Sequence, residues 1–116
     1  MFVLFKISFN NIFEYSIEGK EKTMSNSIIA VADSVFPSLD PAKKALSGQT
    51  TEDFSMSQDK SPESILAVAA DADALLVTYS QINAEVIAGL NNCRAIGRFG
   101  IGTDNIDIMA ATEKGI

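Results

Sequence analysis

The chain has 116 residues, of which 47% are hydrophobic and 21% charged, and its formal net charge is −6. That length suits one domain with a real core, and the composition is that of a globular protein, neither disordered nor membrane-spanning. Nine Lys and Arg scattered along an acidic chain argue against nucleic-acid binding, and with no histidine and only Cys93 neither a Ser-His-Asp or Cys-His nucleophile nor an ordinary zinc site can be assembled.

A lone cysteine also rules out an intrachain disulfide, so a reducing, cytoplasmic setting is expected. The first 23 residues differ from the remainder. Phe2, Phe5, Phe9, Phe13 and Tyr15 supply five of the nine aromatics, before Glu18-Gly19-Lys20-Glu21-Lys22 turns polar. Lys6 interrupts the apolar run, no basic region precedes it, and the run is too short to span a bilayer. Residues 1–23 therefore read as an upstream extension, and the domain is expected from Met24 to residue 116.

From Ile28 the pattern becomes regular. Ile28-Ile29-Ala30-Val31-Ala32, ending in Asp33, is a near-continuous apolar run expected of a strand buried on both faces of a parallel sheet. Asp40-Pro41 reads as an N-cap followed by proline at the first helical position, with a helix from Ala42 to Leu46 and Gly48 as its stop. A short second strand is expected over Thr50 to Phe54. Ser61-Pro62-Glu63 repeats the cap-plus-proline signal ahead of a helix through Ile65, Leu66, Val68 and Ala69.

Ala74-Leu75-Leu76-Val77 is the clearest buried strand. Asn83 then caps a helix whose Val86, Ile87 and Leu90 have helical spacing, and Ala95-Ile96-Gly97 forms a fourth strand. Asp107 caps a last helix from Ile108 to Lys114, with Gly115 as its stop and Lys114 complementing its dipole. Four strands alternating with four helices argue for an α/β fold with a doubly wound parallel sheet. A fifth strand is expected where the sequence stops, so the sheet reads as incomplete at its C-terminus. Ligands of such sheets bind at the carboxyl ends of the strands, which places Asp33, Thr78, Tyr79 and the loop from Arg98 to Asn105 on one rim.

That loop, Arg98-Phe99-Gly100-Ile101-Gly102-Thr103-Asp104-Asn105, carries the strongest chemical signal. Gly100 and Gly102 let backbone N–H groups approach a ligand without Cβ interference, and Arg98 offers a planar fork of donors matched to a carboxylate. Together with the following helix start they predict an anion site suited to a small carboxylate. The same glycines also fit a turn that merely reverses strand into helix, and Arg98 also fits a solvated strand end. The pair is not a dinucleotide fingerprint, because Asn105 stands where a third glycine is due. Asp104 and Asn105 fit backbone bonding in a tight turn, and Asp107 a cap. Asp71 and Asp73 form a close acidic pair, but at the amino end of a strand, away from the ligand rim.

Three stretches together, Ala72-Asp73-Ala74-Leu75-Leu76-Val77, Asn83-Ala84-Glu85-Val86-Ile87 and Arg98 through Asp107 with Ala110-Ala111-Thr112-Glu113-Lys114-Gly115-Ile116, resemble the NAD-dependent D-2-hydroxyacid dehydrogenases. The resemblance is greatest to the branch of C-terminal-binding proteins and phosphoglycerate-dehydrogenase-like enzymes, and Asp33-Ser34-Val35-Phe36-Pro37-Ser38-Leu39-Asp40 fits the same branch. It covers residues 28–116. It implies a flavodoxin-like substrate-binding domain, present in part, whose NAD-binding domain is absent from this sequence. It further implies that the amides of Gly100, Ile101 and Gly102 hold the substrate carboxylate, that Arg98 assists, that Thr78 faces the substrate from the rim, and that Ile101 lies near the nicotinamide. The family's catalytic arginine, glutamate and histidine match nothing here, so no catalytic residue is assigned.

The expected function is the substrate-binding part of an oxidoreductase interconverting small 2-hydroxy and 2-oxo acids with NAD, inactive alone. No nucleic-acid, membrane or metal partner is expected, and the full-length protein is expected to be a homodimer. The alternative is a dehydrogenase-fold, NAD-sensing corepressor scaffold. A receiver-type signalling module is disfavoured by Thr78, which stands where a phosphorylatable Asp is wanted.

Overall fold

The computed structural model describes residues 27–47 and 54–116. The expected extension, the start at Met24, the stop at Gly48 and most of the expected second strand lie outside the described residues. Within them the order is β1 (Ile29–Val31), α1 (Asp40–Ala45), β2 (Ser55–Met56), α2 (Pro62–Ala69), β3 (Ala74–Val77), α3 (Ala84–Ala88), β4 (Ala95–Arg98) and α4 (Ile108–Glu113). No described helix is long and apolar enough to cross a membrane.

Among the described residues all strand pairs are parallel and the sheet order is β2-β1-β3-β4, the order of the first four strands in flavodoxin-like sheets. Because side chains alternate along a strand, each strand feeds two cores. Ala30, Ala32, Leu75 and Val77 face Ile65 and Ala69 of α2, Val86 and Ile87 of α3 and Ala111 of α4. Ile29, Val31 and Leu76 face Ala42 of α1, together with Phe99. Both sheet faces are thus covered by helices, which is why β1 and β3 are apolar at nearly every position. Ile65, Leu75 and Val77 are completely buried, and each contributes roughly 1.5–3 kcal/mol through burial.

The helices are short, one to two turns each, so packing and caps hold them rather than propensity. Ser61 Oγ accepts from Ser64 N at 3.2 Å, Asn83 Oδ1 from Val86 N at 3.0 Å and Asp107 Oδ1 from Ala110 N at 3.0 Å, the three caps read from the sequence. Asp40 is not a cap. Leu39 O already accepts from Lys43 N at 2.9 Å, and Ser38 Oγ takes the Asp40 amide at 3.1 Å, so Asp40 falls inside the first turn, where its charge suits the helix dipole.

Two further expectations shift. The second strand lies at Ser55–Met56 rather than reaching only to Phe54, because Ser55 and Met56 are the residues in register with Ala30 and Val31. Lys114 serves a different helix from its own: its Nζ donates to Ile87 O at 2.9 Å and Ala88 O at 2.7 Å, closing the C-terminal end of α3. Its own helix ends in a Schellman arrangement, with Gly115 at φ +82° and Ile116 N donating to Ala111 O at 2.9 Å. At the amino edge of the sheet, buried Asp73 accepts from Ile28 N at 2.9 Å and lies 3.5 Å from Arg94 Nη2, which makes it a structural carboxylate.

Candidate functional site

In an open parallel sheet of this order, the crevice between the carboxyl ends of β1 and β3 is the usual ligand position. Here the chain's own carboxylate fills it. Asp33, 9% exposed, accepts from Thr78 N at 2.9 Å and Ser80 N at 3.1 Å through Oδ1, and from Tyr79 N at 2.8 Å through Oδ2. Burial raises the Asp33 carboxyl, but the amide hydrogen bonds from Thr78, Tyr79 and Ser80 outweigh it, and the group lies below its ordinary value. Lys60 Nζ lies 4.0 Å from Oδ2 and 5.9 Å from the centre of the Tyr79 ring.

With that crevice occupied, the candidate ligand position is the loop after β4. Phe99 opens the loop, buried edge-on against Phe36 at a ring separation of 5.5 Å, and its amide donates to Val77 O at 2.8 Å. Asn105 closes it. The Asn105 Nδ2 donates to Thr78 O at 3.2 Å and Ser80 O at 2.8 Å, while the Asn105 main-chain carbonyl accepts from Ile82 N at 2.8 Å. Asn105 therefore reaches across to the end of β3 instead of bonding within its own turn.

Arg98, the last residue of β4, folds back over this loop. Its Nε donates to Thr78 O at 3.1 Å and its Nη1 to Gly102 O, and among the described residues it pairs with no carboxylate. The guanidinium covers Gly100 so closely that a Cβ there would lie 2.9 Å from Nη1. Beside it, the N–H groups of Gly100, Ile101 and Gly102 donate to no acceptor among the described residues. Ile101, at the tip, is 91% exposed.

The remaining rim residue behaves differently. Thr78 is 2% exposed, and its hydroxyl donates to Asp33 O at 3.3 Å, so its side chain is turned inward. What Thr78 offers the loop is its carbonyl, which receives both Arg98 and Asn105. The amides that Asp33 holds and the carbonyls that Asn105 reaches were not visible in the sequence, which puts Asp33 only on the ligand rim and reads Asn105 as a turn residue.

A guanidinium with no carboxylate partner, next to consecutive amides with no acceptor, among the described residues, has the donors to receive an anion, and the fork geometry suits a carboxylate. The same domain does not fit a dinucleotide. No glycine lies between Ala32 and Asp40, where a pyrophosphate turn would follow β1, and the amides after β3 already carry the Asp33 charge. No step of a cofactor reaction is therefore assigned to these residues.

The parallel sheet, with an arginine-and-glycine loop at its carboxyl edge, defines an α/β domain. The chain belongs to the D-isomer specific 2-hydroxyacid dehydrogenases: residues 29–116 match the family's catalytic domain. It is 34% identical over 94 residues to D-3-phosphoglycerate dehydrogenase of Mycobacterium bovis, covering 80% of this chain and 17% of that protein. The enzyme of the same name from Methanocaldococcus jannaschii is 46% identical over 55 residues, 47% of this chain and 10% of the relative. The chain thus spans under a fifth of the length of these relatives. A Polaromonas structure described as a D-isomer specific 2-hydroxyacid dehydrogenase, NAD-binding, superimposes with a TM-score of 0.60 at 28% identity, over 78% of this chain and 28% of that one. A Pyrococcus horikoshii protein shares the fold with a TM-score of 0.63 at 23% identity, over 78% and 26% of the two chains.

Proposed function

We propose that this chain supplies the carboxylate-recognition part of an NAD-linked oxidoreductase that interconverts small D-2-hydroxy acids and 2-oxo acids. One observation carries the reading: among the described residues Arg98 has no carboxylate partner, and it stands beside the amides of Gly100, Ile101 and Gly102, which have no acceptor there. In this assignment the amides and Arg98 bind and orient the acid, Thr78 contributes its carbonyl as a support, and Ile101 at the exposed tip approaches the nicotinamide. NAD supplies the hydride chemistry, and the groups that bind it and move the hydroxyl proton lie outside the residues described here. The domain formed by residues 24–116, a cytoplasmic location and a homodimeric full-length protein belong to the same reading.

Following NADH absorbance of the full-length protein against a panel of 2-oxo acids tests the proposal. Turnover of at least one acid, with KM raised by Arg98→Ala, is the expected result. No turnover with any of them removes the dehydrogenase assignment, and an unchanged KM removes Arg98 from the site. Light scattering of the same preparation checks the dimer.

A further inference from the structure

We infer that Asp33 is a positioning residue for carboxylate recognition, acting on Arg98 through the peptide unit between Thr78 and Tyr79; the inference rests on the carboxylate reading of the Arg98 loop. That peptide unit is planar and trans, so its N–H and its C=O point in opposite directions. On one side the Tyr79 N–H is held by Asp33 Oδ2 at 2.8 Å; on the other the Thr78 C=O receives Arg98 Nε at 3.1 Å and Asn105 Nδ2 at 3.2 Å. A single rigid plate therefore has an anion at one edge and the loop's two anchoring donors at the other.

Two consequences follow from this arrangement. The flanking amides of Thr78 and Ser80 also bond Asp33 Oδ1, at 2.9 and 3.1 Å, which fixes the plate's rotation. A full negative charge on the N–H side also polarises the amide, and hydrogen bonds in a chain strengthen one another, so the Thr78 oxygen becomes a better acceptor for a guanidinium. Arg98 is thereby held by Nε, and the donors farther along its fork are presented at the loop. Neutralising Asp33 weakens that hold without removing any group that touches the ligand. The separation in sequence, 46 residues from Asp33 to Tyr79 and 20 from Thr78 to Arg98, makes this a relay across β1, β3 and β4.

The test is a double-mutant cycle in the full-length protein, read as the Kd of oxamate, an unreactive analogue of a 2-oxo acid, by calorimetry with and without NADH. Asp33→Asn is expected to raise Kd about tenfold, as for a weakened charge-assisted hydrogen bond, and to change it less than about twofold once Arg98→Ala is present. Additive effects, or no effect of Asp33→Asn, overturn the inference while the carboxylate site stands. An Arg98→Ala protein that binds oxamate as well as the unsubstituted one, or an unsubstituted protein that does not bind it, overturns the carboxylate reading itself. Should Asp33→Asn fail to fold, amide exchange of the unsubstituted protein decides the matter, because coupling is reciprocal. Oxamate is then expected to slow exchange at Thr78, Tyr79 and Ser80 as well as at Gly100 to Gly102, and slowing confined to the latter group overturns the relay.

Discussion

The guanidinium of Arg98 rests on the Cα face of Gly100, where an added Cβ would stand 2.9 Å from Nη1 and 3.1 Å from Cζ. Gly100 also has φ +155°, a conformation that L side chains rarely adopt. A side chain at this position meets both obstacles together, and only the first can be relieved by moving the arginine. Gly100→Ala is expected to cost about 1–3 kcal/mol of stability and to displace Arg98, raising KM or ligand Kd. At Gly102 a Cβ would meet Arg98 Nη1 at 3.7 Å and Asp104 Oδ2 at 3.9 Å, ordinary contact distances. Gly102→Ala is expected to stay within about 0.5 kcal/mol of the parent. Thermal melts and acid titrations of the two variants check the contrast, and equal effects would break it.

Acid stability depends on Asp33 with a definite sign. Its folded-state value lies below that of the unfolded chain, about 3.9. The contribution is therefore fully present above that value and disappears as pH falls through the lower, folded one. Asp59, whose Oδ1 accepts from Ser61 N at 2.8 Å, shifts the same way because of its hydrogen bonds to Ser61 and Ser64. Denaturant midpoints measured from pH 7 down to pH 2 are expected to fall at the acid end, and to fall less steeply in Asp33→Asn.

Lys114 joins the ends of two helices through its bonds to Ile87 O and Ala88 O. Lys114→Met keeps most of the aliphatic stem and removes the charge and the donors. A loss of about 0.5–1 kcal/mol is expected, reduced by solvent at this exposed site and diminished further by salt. Urea denaturation at low and high ionic strength distinguishes this from a packing effect, which salt would not alter.

Cys93 is expected to be unreactive. Burial pushes its thiol up to about 11, and Sγ donates to Ala95 O at 3.1 Å. Alkylation by iodoacetamide at pH 8, followed by mass, is expected only after the protein is unfolded; rapid labelling of the folded protein would contradict this placement.

Local features of the fold were legible in the sequence because their physics is local. Ser61, Asn83 and Asp107 each cap a helix by reaching an amide three residues on, and β3 announces itself as four apolar residues. Asp40 reads as a cap but lies one residue inside the helix, whose N-cap, Leu39, has no side chain able to accept, and Ser38 Oγ takes only the Asp40 amide. Most of the candidate site was legible as well, since Arg98 and its glycines lie within one short loop. The supports were not. Asp33 meets its amides 45 to 47 residues away, and Asn105 meets Thr78 O at a separation of 27, so only the folded strand order brings them together. The inward turn of the Thr78 hydroxyl has a related cause: a residue at the rim of a sheet can turn its hydroxyl inward when an acceptor such as Asp33 O waits there.

The small parallel bridge between Ile82 and Ile106 lies beyond the ends of β3 and β4, where Asp107 N donates to Ile82 O at 2.9 Å. With Phe99 N fixed to Val77 O, it clamps the arginine loop at both feet. Between those feet only the few residues around Ile101 are left, and the amides of Gly100, Ile101 and Gly102, which have no acceptor among the described residues, lie together within it. On the proposed carboxylate reading, a loop so constrained forfeits little conformational entropy on binding, which favours a ligand of very few atoms.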